Sequence, residues 1–343
     1  MFRSLSDWMQ ARGAVIRLML AVLVAGLLSS PTARGDEPKR ATLESLLIQH
    51  GYELIPLKVT AGNSLHHFGK LNGRKVDVYV DTGSPDTCVD TSLTGGLKKV
   101  GQLKEDAWGV YGKAAEHPQI VQLDQLELGP TVFTNQSAVV LPMHGKAKTH
   151  TGSRIPSSDP LGQIDILLGM DFLQTHHALL LVGAAKLYVN QREPDPSTID
   201  LIEKTMLVSG YALVDLAPYG GCARVSGLAN GKQIQLKLDT GASVTNVDGN
   251  QLKDLELSAH ERIGQSRDVS GKTGDVGFTK IESLRFGECE LRSVVVAIAD
   301  FEIRNERARN FGLTKTQGLL GNDLLFRTRA LIDCERLKLY LQK

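Results

Sequence analysis

The triplet Asp-Thr-Gly occurs twice in this chain, at Asp81-Thr82-Gly83 and at Asp239-Thr240-Gly241, each time directly after an alternating apolar run. The runs are Val76-Asp77-Val78-Tyr79-Val80 and Ile234-Gln235-Leu236-Lys237-Leu238. Period-2 alternation predicts a half-buried β-strand that ends at the Asp. The Gly two residues later permits a sharp turn and close approach by another segment. Each Asp therefore sits at a strand-to-loop corner, and two such corners imply one site assembled from two halves. A single Asp-Thr-Gly would say little, because these residues also meet in ordinary turns.

The flanking sequence repeats with the triplets. Gly51-Tyr52-Glu53-Leu54 returns as Gly210-Tyr211-Ala212-Leu213, and Asn72-Gly73 as Asn230-Gly231. Val110-Tyr111-Gly112-Lys113 answers to Val269-Ser270-Gly271-Lys272, and Leu126-Glu127-Leu128-Gly129 to Leu284-Arg285-Phe286-Gly287. The two Asp residues are 158 positions apart, whereas Leu167-Leu168-Gly169-Met170-Asp171-Phe172-Leu173 precedes its counterpart Leu319-Leu320-Gly321-Asn322-Asp323-Leu324-Leu325 by 152. Lys186-Leu187-Tyr188 and Lys338-Leu339-Tyr340 keep the shorter spacing. The difference places extra loop in the first copy, near Gly145 to Pro160.

These paired motifs resemble the aspartic peptidases of the pepsin and retropepsin type. In that family an apolar-apolar-Asp-Thr/Ser-Gly corner from each of two lobes supplies one carboxylate, and a later apolar-apolar-Gly with a short helix completes the lobe. The resemblance covers nearly all of the chain after about Gly51. It implies a mostly β, bilobal fold of two homologous closed β-barrel lobes with short helices, and an active site in the cleft between them. Each copy is shorter than a pepsin lobe and carries a Gly-Met-Asp-Phe-Leu type segment closer to the single-lobe retroviral enzymes, which dimerise. The chain thus looks like two retropepsin-like lobes fused in tandem, which implies an active monomer with pseudo-two-fold symmetry. Pairing of each lobe with its own copy in another molecule is the alternative, disfavoured by the short linker.

By the same resemblance Asp81 and Asp239 are the catalytic pair. Thr82 and Thr240 would brace each corner through the opposite lobe's backbone, and Gly83 and Gly241 would permit that approach. Two carboxylates brought this close cannot both ionise cheaply, so they share one proton, as the dyad of aspartic proteases is known to do. The ionised member can act as general base on a water while the other polarises the peptide carbonyl. No metal, cofactor or covalent nucleophile is required. One position later the copies differ, Ser84 against Ala242. A Ser84 hydroxyl donating to Asp81 would favour its charged form and leave the shared proton on Asp239. Candidate substrate-covering flaps are Trp108-Gly109-Val110-Tyr111-Gly112 and Val269-Ser270-Gly271-Lys272-Thr273-Gly274, whose glycines suit hairpins that open and close. The first carries two aromatics and is expected to form most of the apolar wall.

The N-terminus reads separately. Arg3, Arg12 and Arg17 precede eleven apolar residues, Leu18 to Leu28, and Ala33-Arg34-Gly35 offers small residues for cleavage before Asp36. Residues 1–35 are expected to be a secretory signal, leaving lobes at 36–192 and 193–343. The competing reading, a membrane anchor, needs about 20 apolar residues. Removing residues 1–35 takes away four Arg and one Asp, so the formal charge falls from +1 to −2. That balance does not point to nucleic acid, and no stable membrane insertion is expected after cleavage. A helix is expected over Thr42–Ile48 and another around Leu201–Leu207, the latter capped by Ser197 or Thr198 after the linker Gln191–Ser197. Cys88, Cys222, Cys289 and Cys334 allow three disulfide pairings or none. No Cys/His spacing suggests a metal. His176-His177 reads as surface or helix-end histidine, and Lys146-Ala147-Lys148-Thr149-His150 as solvated loop.

The functional expectation is an exported aspartic endopeptidase acting on peptide or protein substrates. The reading from another class is a peptide-binding or structural protein that keeps the fold without turnover.

Overall fold

The alternating runs form strands Arg74–Val80 and Lys232–Leu238, whose alternate side chains Val76, Val78, Val80 and Ile234, Leu236, Leu238 are buried. In the computed structural model the described residues are 42–143, 164–258, 264–268 and 272–343. The signal segment, the extra loop near Gly145 to Pro160, and Val269, Ser270 and Gly271 lie outside them.

Each half builds an eight-stranded sheet with the same strand order. In the first half the order is Lys58–Val59, Leu65–Leu71, Arg74–Val80, Ile166–Leu168, Cys88–Asp90, Thr131–Leu141, Gln119–Leu128 and Lys98–Gln102. Leu65–Leu71 also pairs with Gln119–Leu128, Lys70 opposite Glu127, so the sheet closes on itself. In the second half Cys222–Ala229 pairs in the same way with Thr273–Phe286. The fold is mostly β with two lobes.

The strand before each Asp lies parallel to the strand of the late apolar-apolar-Gly motif, Val80 opposite Leu168 and Leu238 opposite Leu320. Short helices follow at Met170–Thr175 and Asn322–Arg327. They are tied back alike: Thr87 Oγ1 donates to Asp171 Oδ1 and Thr245 Oγ1 to Asp323 Oδ1, both at 2.7 Å.

A third sheet of six antiparallel strands takes three from each half. At its middle Leu179–Leu181 of the first half pairs with Leu331–Asp333 of the second. Helices Leu43–Gln49 and Pro196–Val208 cover it, with Leu46, Leu47, Ile202 and Met206 packed against Leu179, Tyr188, Leu331 and Tyr340. Thr42 caps the first helix, accepting from the Ser45 N–H. The second helix begins earlier than expected. Pro196 occupies its first turn and Asp195 the cap position, because a fixed proline φ and a missing N–H suit a helix start. Ser197 and Thr198 lie inside it.

All four cysteines are free and buried, so they pack as small apolar groups. His176 closes helix Met170–Thr175 and is buried against Phe133 and Phe172 rather than exposed. Burial pushes its pKa down to about 4, and Gln136 Oε1 meets its Nε2 at 3.1 Å. His177 instead meets Glu335 at 2.7 Å.

Candidate active site

Asp81 and Asp239 come from different lobes and meet within hydrogen-bonding reach of each other. Reciprocal threonine bonds hold the corners together. The Thr82 N–H donates to Thr240 Oγ1 at 3.0 Å and the Thr240 N–H to Thr82 Oγ1 at 3.1 Å. Thr240 Oγ1 then donates to the Val80 carbonyl oxygen at 3.0 Å. Both threonines are fully buried, so these bonds exchange with no solvent and fix the separation of the lobes. A Cβ on Gly83 would fall on the Asp239 carboxyl group, and one on Gly241 on that of Asp81. Each triplet glycine thus makes room for the opposite carboxylate.

The two acids are not equivalent. Asp81 Oδ1 accepts from the Gly83 N–H at 2.7 Å and the Gly241 N–H at 3.2 Å, whereas Asp239 Oδ1 accepts from the Ala242 N–H at 3.0 Å. Burial and the neighbouring Asp239 charge push Asp81 up to about 7, against the opposing pull of Lys237 and the Gly83 N–H. The pair therefore holds one shared proton near neutral pH. The hydroxyl that the sequence reading directed at Asp81 goes elsewhere: Ser84 Oγ donates to the Asp86 carbonyl oxygen at 2.7 Å, two residues on. Ala242 packs against the buried cluster of Ala299, Phe301 and Leu319.

The first candidate flap is a short hairpin, Ala107–Trp108 against Lys113–Ala115. Its tip rests on the second lobe. The Tyr111 N–H donates to Asp268 Oδ2 at 2.8 Å and Tyr111 Oη touches Ser266 Oγ. The Arg307 guanidinium lies 4.5 Å over the Trp108 ring. A Cβ on Gly109 would strike the Asp268 carboxylate, and one on Gly112 the Lys272 side chain. The second hairpin pairs Gly264–Arg267 with Thr273–Val276, while Ser270 and Gly271 at its tip are not among the described residues. His176 and His177, on the helix end behind the first lobe's core, contribute nothing to this site.

Three comparisons with known proteins bear on this arrangement. A family model described as "Aspartyl protease" matches residues 69–172 and 225–324, one stretch per lobe and more than half the chain. The chain belongs to the aspartyl protease family. Among solved structures, an aspartic proteinase from Irpex lacteus is 12% identical, with a TM-score of 0.48, over 85% of this chain and 97% of that one. A retropepsin-like aspartic protease from Rickettsia conorii is 17% identical, with a TM-score of 0.29, over 38% of this chain and 98% of that one. No curated protein matches the chain.

In this aspartyl protease the sequence reading missed Lys237, although it stands two residues before Asp239 on the same face of the strand. Its Nζ donates to the Gly83 carbonyl oxygen of the opposite lobe. The signal was present in the period-2 alternation itself, which puts every second residue before the Asp on the Asp's own side. Asp268 and Arg307, which hold the first flap, carried no sequence signal, since both meet it from more than 150 residues away.

Proposed function

We propose that this chain is an aspartic endopeptidase whose reacting groups are Asp81 and Asp239. The reading rests on one observation: two carboxylates from separate lobes share hydrogen-bonding reach between threonines that bond each other's backbone. With one proton shared by the pair, the ionised member takes a proton from a water as its oxygen attacks the peptide carbonyl. The protonated member meanwhile donates to the carbonyl oxygen. As the tetrahedral species collapses and the C–N bond breaks, the carboxyl that took the water's proton passes it to the amine nitrogen, and a hydroxyl of the tetrahedral carbon returns a proton to the other carboxylate, which leaves the dyad singly protonated. Thr82, Gly83, Thr240 and Gly241 position the acids, and the Trp108–Gly112 hairpin covers the substrate. The same reading has the chain exported after loss of residues 1–35 and active as a monomer of lobes 36–192 and 193–343.

The test is cleavage of a diverse peptide mixture across pH 3 to 8 by the parent and by Asp81→Asn and Asp239→Asn. Each substitution is expected to lower kcat at least a thousandfold, roughly the upper part of the range for loss of a proton-transferring group. Undiminished cleavage in either variant, shown to be folded, would remove that residue from the mechanism.

A further inference from the structure

The duplication supplies an internal control, because each position beside the dyad has a counterpart in the other lobe. In the first lobe His66 stands opposite Tyr79 across two antiparallel strands, and in the second Arg224 stands opposite Lys237. Asp77, whose N–H is accepted by the Asp165 carboxylate at 2.8 Å, corresponds to Gln235, whose N–H is accepted by Gln317 Oε1 at 2.8 Å. The first set thus holds two carboxylates, one of them 2.7 Å from the His66 ring. The second holds two cations and two neutral amides.

A third cation adds to the second set. Arg304, on helix Glu302–Asn310, donates to Thr316 Oγ1 at 2.7 Å and lies near Asp239, whose charge it feels, and near the thiol of Cys222 and the phenol of Tyr219. Cys222 in turn lies beside Lys237. Lys237, Arg224 and Arg304 form no ion pair among the described residues; their bonds go to a carbonyl, an amide and hydroxyls. Arg304 Nη1, Arg224 Nε and Tyr219 Oη are buried and find no hydrogen-bond partner there. Lys237 lies near Asp81 and Arg304 near Asp239, with Arg224 opposite Lys237 on the neighbouring strand, around a dyad that carries one negative charge once its proton is shared. The nearby Asp248 is already engaged by Asn250 and Asn305. Cations held out of water without a carboxylate are costly, and an anionic ligand relieves that cost.

On the reading of the chain as an endopeptidase, we infer that the second lobe's side of the cleft is a cationic subsite for a substrate carboxylate, an Asp or Glu side chain flanking the scissile bond. Lys237, half-buried and beside the dyad, is the contact residue; Arg304 and Arg224 deepen the positive field behind it.

The experiment uses peptides amidated at the C-terminus, each carrying Glu or Gln at one of the three positions on either side of the scissile bond. The quantity read is the Glu:Gln ratio of kcat/KM for the parent, Lys237→Gln and Lys237→Glu. The parent is expected to prefer Glu about tenfold at a flanking position, the low end for a hydrogen bond to a charged group. Lys237→Gln should bring the ratio near one, and Lys237→Glu should turn it in favour of Gln. Because each ratio is taken within one protein at one pH, altered dyad titration or partial misfolding cancels. A parent ratio near one at every position, or a ratio unmoved in both variants, overturns the subsite while the endopeptidase reading stands. If no peptide is cleaved that reading falls, and the subsite is judged by binding: equal calorimetric affinities for the Glu and Gln peptides overturn it too. A companion set of Gln peptides with free C-termini separates the two sources: a preference that follows the terminal carboxylate instead of the Glu side chain overturns the side-chain assignment.

Discussion

Asp81 is held in a state that costs the fold stability once the pH rises past neutral. Its pKa stands near 7 in the fold, against about 4 in an unfolded chain. Between those values the folded protein binds the extra proton, so stability present below pH 4 is lost as the pH rises through 7. Asp81→Asn removes that loss. The variant should unfold at the same urea concentration as the parent at pH 4 and at a higher one at pH 8, by a few kcal/mol at most. A midpoint difference constant across pH would mean that Asp81 titrates normally. At this scale the triplets themselves were legible, since each residue's task follows from its type: an acid, a hydroxyl able both to donate and to accept, and a residue without Cβ. Ser84 was not, because a hydroxyl bonds whichever acceptor is nearest, and the Asp86 carbonyl two residues on is invisible to a reading of adjacent types.

Among the elements, the hairpin at Trp108–Gly112 reaches the second lobe through the Tyr111–Asp268 bond and the Trp108–Arg307 contact. Gly109 sets how close that approach can be. Its backbone does not require glycine, yet an added methyl would strike the Asp268 carboxylate. Gly109→Ala should therefore leave stability within about 0.5 kcal/mol, as for most surface substitutions. It should lower kcat/KM by roughly ten- to a hundredfold by misplacing the hairpin over the substrate. Thermal unfolding with peptide kinetics separates the two effects, and unaltered kinetics would show that the hairpin's seat on the second lobe is not used. The strands before each Asp were readable from period-2 burial, and the helix at Leu43–Gln49 from the run Thr42–Ile48, whose first residue is the cap and not part of the helix. The start of helix Pro196–Val208 was misplaced because three candidates for its first turn, Pro196, Ser197 and Thr198, adjoin one another, and the proline prevails by fixing φ in advance.

For the molecule as a whole, the six-stranded sheet matters most. Leu179 and Leu180 are fully buried where Leu179–Leu181 pairs with Leu331–Asp333, so neither half completes this core alone. Chains 42–192 and 193–343 expressed separately should associate with themselves or each other instead of behaving as folded monomers. Size-exclusion chromatography with circular dichroism checks this, and two well-folded monomeric halves would contradict it. The repeat was legible here because both copies keep the same order of strands and turns. The joining sheet was not, since its pairing spans the two copies and leaves no local pattern. Fusion has a further result. A peptide has a direction, from amino to carboxyl end, and a site with true two-fold symmetry offers both directions the same surroundings. With Tyr79 on one side of the dyad and Lys237 on the other, reversing the bound chain exchanges a phenol for an ammonium. On the endopeptidase reading, such a cleft would tell which way a peptide runs.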